Sequence, residues 1–311
     1  MSSITTAQAE SFSIGSIPGR YYLDQRPTDQ LYDILPFVPI EGHELVLNVV
    51  DATGATLPGL ADFADAETAG AAIDSTMPTI TTRTFALKRV SAEMPVDSVI
   101  PGRYGSHRDI LQGLLNLKVE AVRDHCRYLI ARGDSSVNAE EFDGLARLAS
   151  VYSQEVTANN GAGGTVLAGE LEQLLTLLNP RPTNENVYFV MHALAYEHLV
   201  RNNYTDFEFV NHALLGQIPS FAGIPVLIDN YLPVDEAPTS TGTSIYAVCI
   251  GEDMGLCGIF PSAVQGGEIQ VRGPVVKEST DTMWYHVSWD VALACYNTGA
   301  IARLNQVVYG N

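Results

Sequence analysis

The segment from Glu268 to Val308 restricts the fold more than any other part of this chain. Ile269 to Val276 is one strand-like run, Lys277 to Thr282 a polar turn, and Met283 to Ala294 a second run that holds both tryptophans, Trp284 and Trp289. Aromatic rings bury much area at little side-chain entropy, so the second run predicts a core strand with Trp284 and Trp289 as anchors. A short apolar tail, Cys295 to Leu304, follows. His286 and Ser288 alternate onto one face of the run, but no neighbour orients a base or builds an oxyanion site.

The clearest helix lies earlier. Leu111, Leu115, Val119, Val122, Cys126, Leu129 and Ile130 recur at steps of three and four, and Gly133 ends the pattern. This spacing predicts an amphipathic helix from His107 to Ala131, with Ser106 as its cap and Asp109 three residues on. At 1.5 Å per residue it would be about 40 Å long, a strut across a domain. Two period-two runs precede it: Leu45, Leu47, Val49, and Arg83, Phe85, Leu87, Arg89. They predict a strand pair. Asp51 to Thr79, between them, is rich in Ala, Asp, Gly and Pro, which predicts a long exposed flap directed at a partner. Residues 1–40 are dominated by Ser, Thr, Gly and Pro with scattered apolar anchors, which predicts an extended arm.

Past the long helix, Phe142 and Leu145 are placed to pack a turn, and Asn159 to Gly164 is a flexible loop. A helix over Leu167 to Leu178 puts Leu171, Leu174, Leu175 and Leu178 on one face. Val187-Tyr188-Phe189-Val190 reads as a buried strand, His192 to Arg201 as a helix, and Phe221 to Ile228 and Ser244 to Ile250 as further strands. Helices and strands mix without a regular βα repeat, so the fold class is α+β.

Charge narrows the functions open to the chain. With 36 acidic and 17 basic residues, its formal net charge is −19. Such a protein repels phosphate backbones at long range, which excludes sequence-specific nucleic-acid reading as its main task but allows it to enclose nucleic acid. Four cysteines are too few for a disulfide scaffold, and each lies in an apolar run. No stretch has the pattern of a secretory signal or the length of a bilayer span, so assembly in the cytosol is expected, without a membrane.

Catalytic motifs are missing. His192 and His198 are six apart and not on one helix face, Cys249 and Cys257 are spaced too widely for a zinc knuckle, and the glycine loop at 161–164 lacks the ending of a phosphate loop. Asp62, Asp65 and Glu67 do not fit a calcium loop. The expectation is no enzyme, no catalytic residues, no cofactor and no metal. The competing reading is a cytosolic hydrolase whose active-site residues lie far apart in sequence.

In collinear order, several segments resemble the major capsid proteins of tailed phages with the HK97-type shell fold. They are Phe221 to Pro233, Thr243 to Val248, the paired C-terminal runs, the Phe142-Asp143-Gly144-Leu145 turn after the long helix, and the ending Tyr296 to Leu304. The resemblance implies an N-arm (1–40), an E-loop as an extended hairpin (41–95), a P-domain with its spine helix (96–164), an A-domain (165–266), and return strands to the P-domain with a C-terminal element (267–311). It implies a homo-oligomer of hexamers and pentamers forming an icosahedral shell, a virion capsid assembled in host cytoplasm around double-stranded DNA without sequence-specific binding. Portal, scaffold and decoration proteins are the implied partners, and the interface candidates are Tyr21, Tyr22, Phe37, Leu45, Leu47, Phe85 and Leu87. Some relatives crosslink an E-loop lysine to an asparagine. Here 51–79 has no lysine and Lys88 lies on the returning strand, so crosslinking is not expected. Encapsulin compartments share the shell fold and are the alternative within it.

Overall fold

The computed structural model describes residues 29–50, 80–97, 107–167, 169–178, 186–201, 207–236, 241–262, 269–277 and 282–310. Tyr21, Tyr22, the flap 51–79 and the Ser106 cap lie outside these residues.

Two sheets and a long helix carry the architecture. Strand β13 (Thr282–Cys295) organises the first sheet: it pairs antiparallel with β12 (Gln270–Lys277), with β4 (Lys88–Asp97), and through its last four residues with β11 (Leu256–Pro261). Strand β1 (Phe37–Ile40) adds to β11 in parallel. The long helix α2 (His107–Arg132) follows the predicted stripe and packs on β4 and β13. Its first half sets Leu111, Leu114 and Leu115 against Met94, Val96 and Tyr285, while Val122, Cys126, Leu129 and Ile130 enter the main core. Gly144 lets the chain turn back onto the helix end, because a Cβ there would lie 2.5 Å from the Leu129 carbonyl oxygen. Phe142 and Leu145 are buried beside it, and helix α3 (Leu145–Val151) starts at that turn.

The second sheet has seven strands in the order β5-β14-β10-β6-β9-β8-β7. These are β5 (Glu155–Thr157), β6 (Val187–Met191), β7 (Phe207–His212), β8 (Gly216–Phe221), β9 (Ile224–Ile228), β10 (Gly242–Cys249) and β14 (Ile301–Val308). Every residue of β6 is buried, since both faces of the sheet are covered. Tyr188 and Val190 face the main core, whereas Val187, Phe189 and Met191 face a second core. Helix α4 (Glu170–Leu177) fills that second core with Leu171, Leu174 and Leu175, joined by Leu178 just past its end and by Leu199 of helix α5 (Ala193–Arg201). The period-two alternation of one apolar strand thus separates the two larger of three hydrophobic clusters.

Four expectations need correction. First, residues 29–40 are not part of a free arm: helix α1 (Gln30–Ile34) buries Leu31, Leu35 is buried just after it, and β1 is hydrogen-bonded into a sheet. Second, the hairpin read as 41–95 ends earlier. Strands β2 (Glu44–Val50) and β3 (Ile80–Ala86) pair with each other, the chain breaks at Leu87, and Arg89 belongs to β4, which pairs with β13 instead. Third, sheet membership crosses residue 266, since β11 joins β13 while β14 joins β10. Strand partners are chosen by long-range hydrogen bonding, which sequence order does not disclose. Fourth, of the two tryptophans only Trp289 is a core residue, at 6% exposure. Trp284 lies on the opposite face of β13 by parity, half-buried, with its indole N–H donating to Thr282 Oγ1 at 3.0 Å.

The burial of α1 has a direct consequence. Leu31→Ala should lower unfolding stability by about 2–5 kcal/mol, as for other fully buried leucines, read as a reduced denaturant midpoint. A residue on a free arm would show no change.

Candidate functional site

Among the described residues, those singled out from sequence make the following contacts within the chain. Phe37 packs its ring 5.6 Å from both Tyr32 and Trp289, over Gly258 of β11. Tyr32 meets Trp289 edge-on at 6.4 Å, so three aromatic rings tie α1 and β1 to the central strand.

Leu45, Leu47, Phe85 and Leu87 form the base of the β2–β3 hairpin. Leu45 stands opposite Phe85, and Leu47 opposite Arg83. Phe85 is buried, and the three leucines pack partly against the main core. Among the described residues the hairpin pairs with no other strand, and its base is held by side chains. Arg83 places its guanidinium 5.1 Å from the Tyr152 ring. Just beyond the hairpin, Lys88 Nζ donates to the Ala139 carbonyl at 2.7 Å, and Arg89 makes a bidentate pair with Asp290 at 2.7 and 2.9 Å.

Two charge networks escaped the sequence reading, one half-buried and one with a buried arginine. In the first, Arg303 of β14 donates to Ser244 Oγ (2.9 Å), Glu155 (2.7 Å) and Glu236 (2.9 Å), and Ser244 donates in turn to Glu236. It joins β5, β14, β10 and the 229–236 segment at one point. In the second, Arg127 of α2 contacts Asp124 at 2.9 Å, stands 3.7 Å from Asp29, and stacks over Tyr32 at 4.6 Å. Asp29 caps α1 by accepting from the Tyr32 N–H at 2.9 Å. Burial pushes its carboxyl up to about 6, and Asp229, its antiparallel bridge partner, is raised well above the carboxylate range by the same cause. One signal for the second network was available: Asp29 followed by Leu31, Ile34 and Leu35 has capped-helix spacing. The Arg303 network has none, because its partners lie far apart along the chain.

No nucleophile stands ready among the thiols. All four cysteines are free and buried, and burial pushes Cys257 up to about 11 and Cys295 up to about 12. Among the described residues, no group of three or more His, Cys, Asp or Glu side chains could hold a metal ion, and no helix is long and apolar enough to cross a membrane. His286 and Ser288 lie within β13, paired with β12 and β4. What the surface does offer is apolar: Val46 on the hairpin, Val271, Val275 and Val276 on the edge strand β12, and Phe209 and Leu214 on the β7–β8 hairpin are exposed. Tyr128, Val137, Val151, Leu194, Val200 and Met254 are exposed as well, so apolar side chains are scattered over helices, loops and hairpins alike.

No family model and no curated protein matches the sequence. Solved structures do match by fold. The SrpI encapsulin of the holo complex from Synechococcus elongatus superposes with a TM-score of 0.70 at 18% identity, covering 99% of this chain and 97% of that one. The capsid of a native GTA particle gives 0.66 at 17% identity, covering 99% and 100%. The chain has an HK97-like shell fold. A chain from Mycobacterium phage Bobi gives 0.59 at 12% identity with 99% of both chains covered.

Removing Arg303 tests the half-buried network. Arg303→Met leaves Glu155 and Glu236 without their cation and should cost about 3 kcal/mol, measured by urea unfolding, with Arg303→Lys recovering only part of it.

Proposed function

We propose that the protein is the major capsid protein of a tailed phage, many copies of which close as hexamers and pentamers into an icosahedral shell around double-stranded DNA. The observation that carries this reading is the shell fold itself, matched end to end in capsid and encapsulin chains. The net charge of −19 supports it, because a wall poor in cations lets packaged DNA move without counterion-releasing phosphate contacts. In this reading α2 is the spine of the P-domain and the β2–β3 hairpin is the base of the E-loop. Residues 51–79 and 1–28 reach neighbouring copies, with Tyr21 and Tyr22 as arm anchors. Many weak contacts then add to a stable lattice. A portal, a scaffold and decoration proteins are the further partners, and assembly takes place in host cytoplasm before the protein becomes the virion wall.

The similarity to a holo encapsulin favours a second reading, a shell that encloses protein cargo. The contents of native particles separate the two. Nuclease-resistant double-stranded DNA supports the capsid, whereas DNA-free particles with a defined protein cargo overturn it in favour of the compartment.

Electron microscopy of recombinant protein tests the shared premise: closed particles are expected, and a monomer stable at high concentration would sink both readings. Truncation refines it. Deleting residues 1–28 should leave a soluble tile of unchanged thermal stability that fails to close, whereas deletion through residue 40 also removes α1 and β1 and should lower the melting temperature. Particles formed at full yield without residues 1–28 would refute the arm's role.

A further inference from the structure

The point where the N-terminal residues join the folded body is built around two carboxyl groups. Asp29 and Asp229 are partners in an isolated antiparallel bridge, and both are buried. Side chains so paired have Cβ atoms about 5 Å apart. Both carboxyls accept backbone N–H groups, Asp29 from Tyr32 at 2.9 Å and also from Leu31, and Asp229 from Tyr231 at 2.8 Å. Next to the bridge, Gln30 Oε1 accepts the Ile228 N–H at 2.8 Å, so the short strap from Asp29 to Leu35 rests directly on the end of β9.

The cations around this pair are shared with other groups. On α2, Arg127 makes its shortest contact with Asp124 and also faces Glu120 at 3.8 Å. Its Nε, 3.7 Å from Asp29, has no hydrogen-bond partner. Arg132 donates to the carbonyls of Tyr231 and Leu232 at 2.7 and 3.1 Å, although its charge still favours ionised Asp229. Arg123 is paired with Glu120. On α1, Asp33 adds a further negative charge facing Asp29. The Tyr231 hydroxyl, from the turn after β9, donates to Asp124 at 3.1 Å and not to the pair.

We propose that Asp29 and Asp229 form a proton-operated latch, which holds the Asp29–Leu35 strap docked while the pair retains a proton and loosens it once both carboxyls are ionised. Two buried like charges at this spacing repel, and the guanidinium within reach is already shared among three acids. The direction follows from linkage. Burial raises the Asp29 carboxyl to about 6, above its value in an open chain, so docking takes up protons. That contribution is complete below the ordinary carboxylate range and fades as pH rises through about 6. Asp229, raised further, extends the loss to more alkaline pH. Loosening frees the strap's root, from which residues 1–28 depart, while Leu31 and the aromatic contacts of Tyr32 limit how far it moves. The latch does not depend on the shell reading: it is a property of one folded chain.

Hydrogen–deuterium exchange of the full-length protein, corrected for intrinsic exchange, tests it between about pH 5 and pH 9, with the fully buried strand β6 as internal reference. Protection of amides 30–35 relative to β6 should fall about tenfold across the range, the change that one proton bound over one pH unit provides. Asp29→Asn keeps the helix cap, since asparagine caps as well as aspartate, and should remove much of the fall. Asp229→Asn should do the same, and the double variant should be flat. Strap protection that tracks β6 at every pH in the unmodified protein overturns the latch, as does a fall of the same size in Asp29→Asn. Because the readout is local exchange, a failed latch is distinguishable from a failure to form particles.

Discussion

Strand β13 is the constraint on which the rest of the molecule depends. Its fourteen residues hydrogen-bond to β12, β4 and β11 in turn, so three separate stretches of chain are held in register by one. Tyr285, Val287, Trp289 and Val291 share the face against which α2 is set, and Trp289 also receives Phe37 and Tyr32. A long strand buried along one face resists slippage, because a shift of one residue would expose all four of these side chains.

Charge is scarce in this protein, and the arginines it buries in whole or in part are used to join distant parts. Arg303 ties the edge of the seven-stranded sheet to the 229–236 segment, and Arg127 ties α2 to α1. Such pairs add little net stability over apolar replacements, but breaking one leaves an uncompensated charge, so they specify an arrangement more than they strengthen it. By contrast, the exposed apolar residues are spread over hairpins, the β12 strand, helix faces and loops, with Val137 the most exposed of them.

Local pattern made much of the fold legible. The stripe from Leu111 to Ile130 located α2 within one residue at its far end, and Val187 to Val190 marked a strand buried on both faces. The leucines of α4 were right in face, although the helix begins at Glu170 rather than Leu167. Strands β1, β7, β11 and β14 were harder to see, because each is short or ambiguous in period and is stabilised by partners far away in sequence. The arm boundary failed for a related reason. Ser, Thr, Gly and Pro dominate residues 1–40 as a whole, and the average hid Leu31 and Leu35, whose burial is decided by a core built from the other end of the chain.

The sequence by itself determined the α+β class, the helical strut, the absence of a catalytic motif and the acidic character, since each follows from spacing or composition within a local window. Only the tertiary structure decided that β11 and β14 belong to different sheets, that Trp289 and not Trp284 anchors the core, and that Asp29 meets Asp229 beside Arg127. Those outcomes turn on which distant segments exclude water from one another, and hydrogen-bond partners and buried charges are chosen only when that contact is made.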